Sequence, residues 1–242
     1  KDKVTMKNLI KKILRKNGII IKRYPETDIV RRMKLVRRKK IDTLLDIGAN
    51  SGQYATQMRE HGYKGNIVSF EPLKDTFEEL KATSIKDNNW LVNNYALGDE
   101  NVTSLINVSG NSVSSSILNM LPSHLNSAPE SKYVDKEKIQ IKKLDSIFDS
   151  FCGVGNKVMM KIDVQGFEKN VLDGADESLN NIEIIQLEMS VVPLYENEMT
   201  FIDMINYLDD KGFKLFSLEN GFCDSHTGKL LQVDGIFENS RI

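Results

Sequence analysis

The sequence predicts an α/β fold, a doubly wound parallel sheet with helices on both faces, and three observations predict it. From Ile41 onward, short apolar runs alternate with helical periodicity. The first run, Leu44-Leu45-Asp46-Ile47, ends in the small-residue turn Gly48-Ala49-Asn50-Ser51-Gly52, and a helical pattern starts at Gln53. That is the strand, turn and helix of a mononucleotide-binding unit. The second run, Val68-Ser69-Phe70, ends in Glu71, 23 residues after Gly48 and close to the separation of about 20 at which an acid meets a ribose diol.

Taken in order, Thr5 caps an expected helix whose stripe is Met6, Leu9, Ile10, Ile13 and Leu14, stopped by Asn17-Gly18. After Pro25, Asp28 caps a second basic helix through about Lys39, with Ile29, Val30, Met33 and Val36 inward. Strands follow near 42–47, 66–70, 91–95, 157–163, 183–189, 213–217 and 233–238, and helices near 52–62, 74–84, 144–151, 167–173, 176–180 and 200–211. Between Gly98 and Leu144, Asn101–Val108 and Ile139–Lys143 read as extra strands. The Ser/Asn-rich piece 109–131 reads as a loop long enough to be a substrate lid. The expected organisation is a basic helical extension over 1–40 and a catalytic domain over 41–242, with a lid insertion at about 99–143.

Composition narrows the class. With 242 residues, 40% of them hydrophobic, the chain can bury a full core. Cys152 and Cys223 lie far apart with no zinc spacing, which points to a reducing, cytoplasmic setting. No run reaches the roughly 20 apolar residues that span a bilayer, and no signal-peptide core opens the chain. Residues 1–40 carry 16 Lys/Arg against 3 Asp/Glu, leaving 17 against 31 in the remainder. Such an arm either folds onto the acidic domain or makes peripheral contact with an anionic membrane at its inner face. Nucleic acid is disfavoured, because the basic residues lack interleaved aromatic stacking partners.

The turn also selects its cofactor. A dinucleotide site needs G-x-G-x-x-G, yet Asn50 and Gln53 stand where the second and third glycines belong, and no Gly-Lys-Ser/Thr follows to make a P-loop. A nucleoside cofactor without a pyrophosphate remains, and S-adenosylmethionine fits. In open α/β sheets ligands sit beyond the carboxyl ends of the strands, so Asp46, Gly48, Asn50, Gly52, Glu71, Ala96, Leu97, Asp163 and Glu188 share one crevice. A lone acid at a strand end also serves as a helix N-cap or a solvated end; recurrence at four ends favours chemistry. Asp163 and Glu188 would alternatively hold a divalent cation such as Mg²⁺, although two carboxylates are few for a metal site. Of three histidines, His61 reads as a helix C-terminal residue and His226 as a turn residue. His124, in the lid, is the candidate base or substrate ligand, or an ordinary loop residue. Ser112–Ser116 reads as a polar loop or as a set of ligands for substrate hydroxyls, and Trp90 as a core residue or a sugar platform.

The blocks Asp46-Ile47-Gly48-Ala49-Asn50-Ser51-Gly52-Gln53, Gly62 through Pro72, Ala96-Leu97-Gly98-Asp99, Lys161 through Glu168 and Gln232 through Phe237 resemble the FkbM-type S-adenosylmethionine-dependent methyltransferases. The similarity runs over roughly residues 41–238. It implies a seven-stranded, mostly parallel, Rossmann-like class I methyltransferase sheet with the last strand antiparallel. The implied reaction is O-methylation of a hydroxyl, commonly on a sugar or polyketide-type product. Residue by residue, it implies that Asp46, Gly48, Asn50 and Gly52, with Gln53 behind them, hold the methionine portion, and that Glu71 binds the ribose. Ala96 and Leu97 would flank the adenine, with Asp163 beside the sulfonium. The expected enzyme is therefore a sugar O-methyltransferase acting on a glycan, glycolipid or other saccharide-bearing acceptor, with His124, Asp163 and Glu188 as catalytic residues. The alternatives are O-methylation of a non-sugar small molecule and a catalytically silent nucleoside-binding module. The sequence holds no sign of the oligomeric state.

Overall fold

A computed structural model describes residues 8, 9, 11–14, 16–18 and 27–242. These form two compact units, Lys1–Leu35 and Val36–Ile242. In the first unit the described residues from Asn8 to Lys16 are helical and end in a turn at Asn17-Gly18, where the Asn17 N–H bonds the Leu14 carbonyl at 3.0 Å. Thr5, Met6 and Ile10, part of the expected cap and stripe, lie outside the described residues. The next helix, α1, spans Thr27–Lys39, so Asp28 stands inside its first turn rather than capping it. Ile29, Met33 and Val36 are buried, as the stripe predicts. At its end Arg38 pairs with Glu238 at 2.6 Å and Lys39 with Glu183 at 3.0 Å, all four within the second unit. No helix among the described residues is long and apolar enough to cross a membrane.

The second unit is built on seven strands in the order β3-β2-β1-β7-β8-β10-β9: Trp90–Asn93, Asn66–Phe70, Thr43–Ile47, Val158–Ile162, Ile182–Ser190, Gln232–Asn239 and Phe213–Asn220. The first five run parallel; β10 is antiparallel to both β8 and β9. This is the mostly parallel sheet that the sequence predicts. Its central strands are buried on both faces because both faces are covered, and every residue of β1 and β7 is buried, Asp46 and Lys161 included. The helices α2 (Gln53–Glu60), α3 (Lys74–Ser84), α5 (Glu168–Asp173) and α6 (Phe201–Asp210) lie close to expectation. The segments at 144–151 and 176–180 are instead short 3₁₀ turns, Leu144–Ser146, Phe148–Ser150 and Ser178–Asn181.

Two departures matter for the site. The third strand stops at Asn93, and the side-chain amide of the next residue, Asn94, donates to the carbonyls of Glu71 and Pro72 at 3.0 Å each. The chain then enters a second sheet, where β4 (Ala96–Leu97) and β5 (Val102–Ser109) flank β6 (Tyr133–Lys142). β6 begins six residues before the expected strand because its first half, Tyr133-Val134-Asp135-Lys136-Glu137-Lys138, is mostly exposed and charged and carries no apolar signal. The piece 109–131 is not structureless. It contains α4 (Pro122–Ser127) and a 3₁₀ turn at Pro129–Ser131.

Candidate functional site

The strand register lays down two polar rows on one face of the sheet. Asp46 pairs with Ser69 on one side and Lys161 on the other, and Lys161 with Gln186. Two residues on, at the carboxyl ends, the next row is Glu71, Gly48, Asp163 and Glu188. Between the rows Ile47, Phe70, Ile162 and Leu187 alternate to the opposite face, where they belong to the main core cluster. A period of two thus gathers four acids on one side of an otherwise apolar sheet.

Gly48 and Asn50 shape the turn after β1. Gly48 sits at φ 74, and a Cβ there would come within 1.8 Å of the Asp163 carbonyl oxygen, so only glycine lets the ends of β1 and β7 meet. Asn50 also adopts a left-handed conformation, φ 47, which asparagine tolerates better than most residues. Its Oδ1 accepts from the Ser51 N–H at 2.8 Å and the Gln53 amide at 3.1 Å, so both side chains brace the turn. Gly52 packs against Trp90 and Leu80. Glu71, 5% exposed, closes the turn from β2: one carboxyl oxygen accepts from the Asn50 N–H and the other from the Leu73 N–H, both at 2.9 Å. Burial pushes its pKa up to about 7 against the pull of those two donors.

Beneath this turn Asp46 is fully buried, with the Ser69 hydroxyl at 3.3 Å and Lys161 Nζ at 3.8 Å. Trp90 donates its indole N–H to Ser69 at 2.9 Å, a core role rather than a sugar platform. Burial raises the Asp46 pKa, with Lys161 opposing. Lys161 Nζ also bonds Asp163 at 3.1 Å; burial works against its charge, yet Asp163 and Asp46 hold its pKa above the usual lysine value. Tyr54 of α2 covers this group, its hydroxyl donating to Gln186 at 2.7 Å and its ring lying 5.4 Å from the Lys161 ammonium.

Asp163 and Glu188 come together through a residue that sequence reasoning did not single out. The Gln165 amide nitrogen donates to Asp163 Oδ1 at 2.8 Å and to Glu188 Oε2 at 3.0 Å, and Gln232 adds a second amide on Glu188 Oε2 at 2.6 Å. Burial, then Asp163, Glu168 and Asp234, raise the Glu188 pKa well above the carboxylate range, with Lys161 opposing. An amide nitrogen is no ligand for a hard cation, and the described residues contain no group of three or more His, Cys, Asp or Glu suited to a metal. This donor set does not fit Mg²⁺.

The remaining expected residues fall differently. The Leu97 side chain lies in the main core and Ala96 in the second sheet's cluster, so only their backbone is free to face a base. Ser114 and Ser116 are buried: Ser114 bonds Ser131 and Asn111, and Ser116 donates to the Gln165 carbonyl at 2.6 Å. The Ser116 hydroxyl fastens this segment to the Asp163 loop, while Ser114 bonds within it. His124 is 3% exposed, its ring edge-on to Tyr195 at 5.2 Å and tilted against Phe222 at 5.8 Å. Burial lowers its pKa, opposed by Glu130, and nothing among the described residues bonds Nδ1. Tyr195, whose hydroxyl reaches Gln165 Oε1 at 2.8 Å, stands between His124 and the acid pair. A cavity of about 260 Å³ beside Asn66, Asn89 and Trp90 lies at the starting ends of β2 and β3, away from this chemistry.

Lys161 had a sequence signal as the lone polar residue inside an apolar strand, whereas Gln186 shares its strand with Glu183 and Glu188 and does not stand out. Tyr195 had none, and Gln232 was visible only as the first residue of a family-like block, because loop closure and an antiparallel strand bring them in from far along the chain.

Comparison with known proteins agrees with this architecture. The methyltransferase FkbM domain matches residues 46–215. Among curated proteins no sequence matches. Similar solved structures include an rRNA methylase from Streptococcus thermophilus, 8% identical over 91% of this chain and 98% of that one, with a TM-score of 0.48. A precorrin-6y C5,15-methyltransferase from Geobacter metallireducens is 12% identical over 92% and 94% of the two chains, with a TM-score of 0.45. Those likenesses are loose and say nothing of the acceptor. With its domain match spanning most of the chain and its sheet carrying the class I methyltransferase order, the protein belongs to the FkbM methyltransferase family.

Proposed function

We propose that the protein is an S-adenosylmethionine-dependent O-methyltransferase whose acceptor is a sugar hydroxyl. The observation that carries this reading is the row at the carboxyl ends, which splits into two halves. Glu71 and the turn after β1 form one half, and Asp163 with Glu188 the other.

The first half fits the nucleoside. Each Glu71 oxygen holds a single backbone N–H and keeps a second lone pair for a ribose hydroxyl. Bound S-adenosylmethionine supplies a methyl carbon that forms a C–O bond with the acceptor as its C–S bond breaks and the electron pair stays on sulfur. In the second half, Glu188 takes the hydroxyl proton. Its Oε2 is held by two amides while nothing among the described residues donates to Oε1, and its raised pKa makes it a stronger base than an ordinary carboxylate. Asp163, held by Lys161 and Gln165, is the member of the second half nearer the turn. Carboxylates and amides on the acceptor side support a polyhydroxyl substrate over an apolar one, since each pairs with hydroxyl groups.

Calorimetry with S-adenosylmethionine and S-adenosylhomocysteine tests the donor. Micromolar-range binding of either is expected, and absence of both overturns the assignment. A glycan panel incubated with methyl-labelled donor tests the acceptor, with transfer confined to non-sugar hydroxyls overturning the sugar reading. Binding without transfer to any acceptor would mark a silent module. On the acceptor so found, Glu188→Gln lowers kcat by about 10²–10⁴-fold. Because the base must be ionised, wild-type kcat rises with pH through the elevated Glu188 pKa. A flat profile together with full activity of the variant would exclude Glu188 as the base.

A further inference from the structure

Gln165 is set in a backbone that few residues adopt. It lies at φ 57 and is followed by Gly166 at φ 94, two consecutive left-handed residues. A non-glycine residue there costs about 1–2 kcal/mol. Such strain persists only where the surroundings over-determine it. Here they do: the Val164 and Gly166 N–H groups both donate to Glu168 Oε1, at 3.0 and 3.2 Å, and Ser116 donates to the Gln165 carbonyl. A Cβ on Gly166 would come within 2.9 Å of Tyr195, which keeps that ring against the loop.

The result is one amide with its hydrogen-bonding capacity directed at the site. Nε2 faces Asp163 and Glu188, and Oε1 accepts from the Tyr195 hydroxyl. The opposite amide orientation would set an oxygen against two carboxyl groups, so the chemistry of its neighbours fixes which end points where.

We propose that Gln165 is a positioning residue of the transfer step: anchored by Tyr195, its amide ties the Asp163 and Glu188 carboxyl groups together and leaves Glu188 Oε1 as the atom that meets the acceptor hydroxyl. The inference rests on the reading of Glu188 as proton acceptor and deepens it. The proton leaves the acceptor oxygen for Glu188 Oε1 as that oxygen is methylated, and Gln165 gains and loses no atom. The groups facing Glu188 are Asp163 after β7, Lys161 within β7, Glu168 of α5, and Asp234 and Gln232 of β10. Four of them are ionisable, three of these acids, so the neutral amides are the donors that let Glu188 ionise beside them. A glutamate at position 165 would have the same shape and add a fourth acid.

The test is a carbon-detected NMR titration of the Glu188 carboxyl in ligand-free protein, its signal assigned by its loss in Glu188→Gln. In Gln165→Met, loss of the amide donor moves the Glu188 midpoint up by at least about one pH unit. Tyr195→Phe, which removes only the anchoring hydroxyl, moves it in the same direction by less. A residue that merely packs the loop would lower Tm without moving this midpoint. An unmoved midpoint in Gln165→Met overturns the proposal; should that variant fail to fold, an unmoved midpoint in Tyr195→Phe overturns it alone. The titration needs no ligand, so failure of the methyl-donor reading, judged by calorimetry, is separable from failure of this one.

Discussion

Glu71→Ala weakens S-adenosylhomocysteine binding by at least about 100-fold, the equivalent of roughly 2.7 kcal/mol, because two hydroxyl bonds to one carboxylate are lost together. The same substitution removes the acceptor for the Asn50 and Leu73 N–H groups, so the free protein also loses stability, by about 1–3 kcal/mol for each donor left buried and unpaired. Calorimetry at a temperature well below the variant's Tm separates the two effects, and Glu71→Gln, which keeps one carbonyl oxygen, falls between. The pH dependence has a definite sign. Glu71 titrates at about 7, pushed there by burial, and only its ionised form accepts from two hydroxyls without first expelling a proton. Affinity therefore strengthens as pH rises from a unit below that value to a unit above it. Unchanged affinity in Glu71→Ala would remove the ribose role.

Lys161→Met carries the largest expected cost in stability. Lys161 is 7% exposed and lies between Asp163 and the wholly buried Asp46; with it gone, Asp46 keeps only the Ser69 hydroxyl. Leaving a buried charge without its partner costs about 3–5 kcal/mol. Asp46 escapes part of that by binding a proton, since its pKa, already raised by burial, goes higher without the ammonium. A carboxyl whose folded pKa exceeds its unfolded value near 3.8 destabilises the fold as pH rises between the two. The penalty is thus smallest below the ordinary carboxylate pKa, grows as pH climbs through the window, and levels off above the folded value. Urea denaturation of both proteins across pH measures it, and a penalty that ignores pH would show that Asp46 carries no charge in the native state.

Much of this was legible in the sequence wherever local pattern and tertiary position coincide. The turn from Gly48 to Gly52 announces itself because the left-handed backbone at its glycines and Asn50 narrows the residue choice, and β1, β7 and β8 do so because strands covered on both faces are mostly apolar. Glu71, Asp163 and Glu188 were legible because each closes an apolar run, and Asp46 because it interrupts one. Their mutual arrangement was not. That Asp46 faces Lys161, or that Gln232 reaches Glu188, depends on the register between strands distant in sequence, and no single segment encodes it. β6 was half hidden because its first six residues are mostly exposed and charged and lack the alternation that marks its neighbours. His124 stood out for its chemistry alone; its burial behind Tyr195 follows from how α4 docks, held by Ser123 on the Pro193 carbonyl and by Ser127 on Asp224.

The row of strand ends also acts as a gauge. Glu71 just after β2 and Glu188 on β8 are three strand spacings apart, and at about 4.8 Å per spacing this sets roughly 14 Å between the carboxylate assigned to the ribose and the one assigned to the acceptor. Hydrogen bonds between backbones hold that interval, so it is set by the sheet and not by the segment from Gly110 to Lys132. That segment reaches the row through Ser116 on the Gln165 carbonyl, which bears on how one carboxylate is oriented and leaves the spacing of the two untouched.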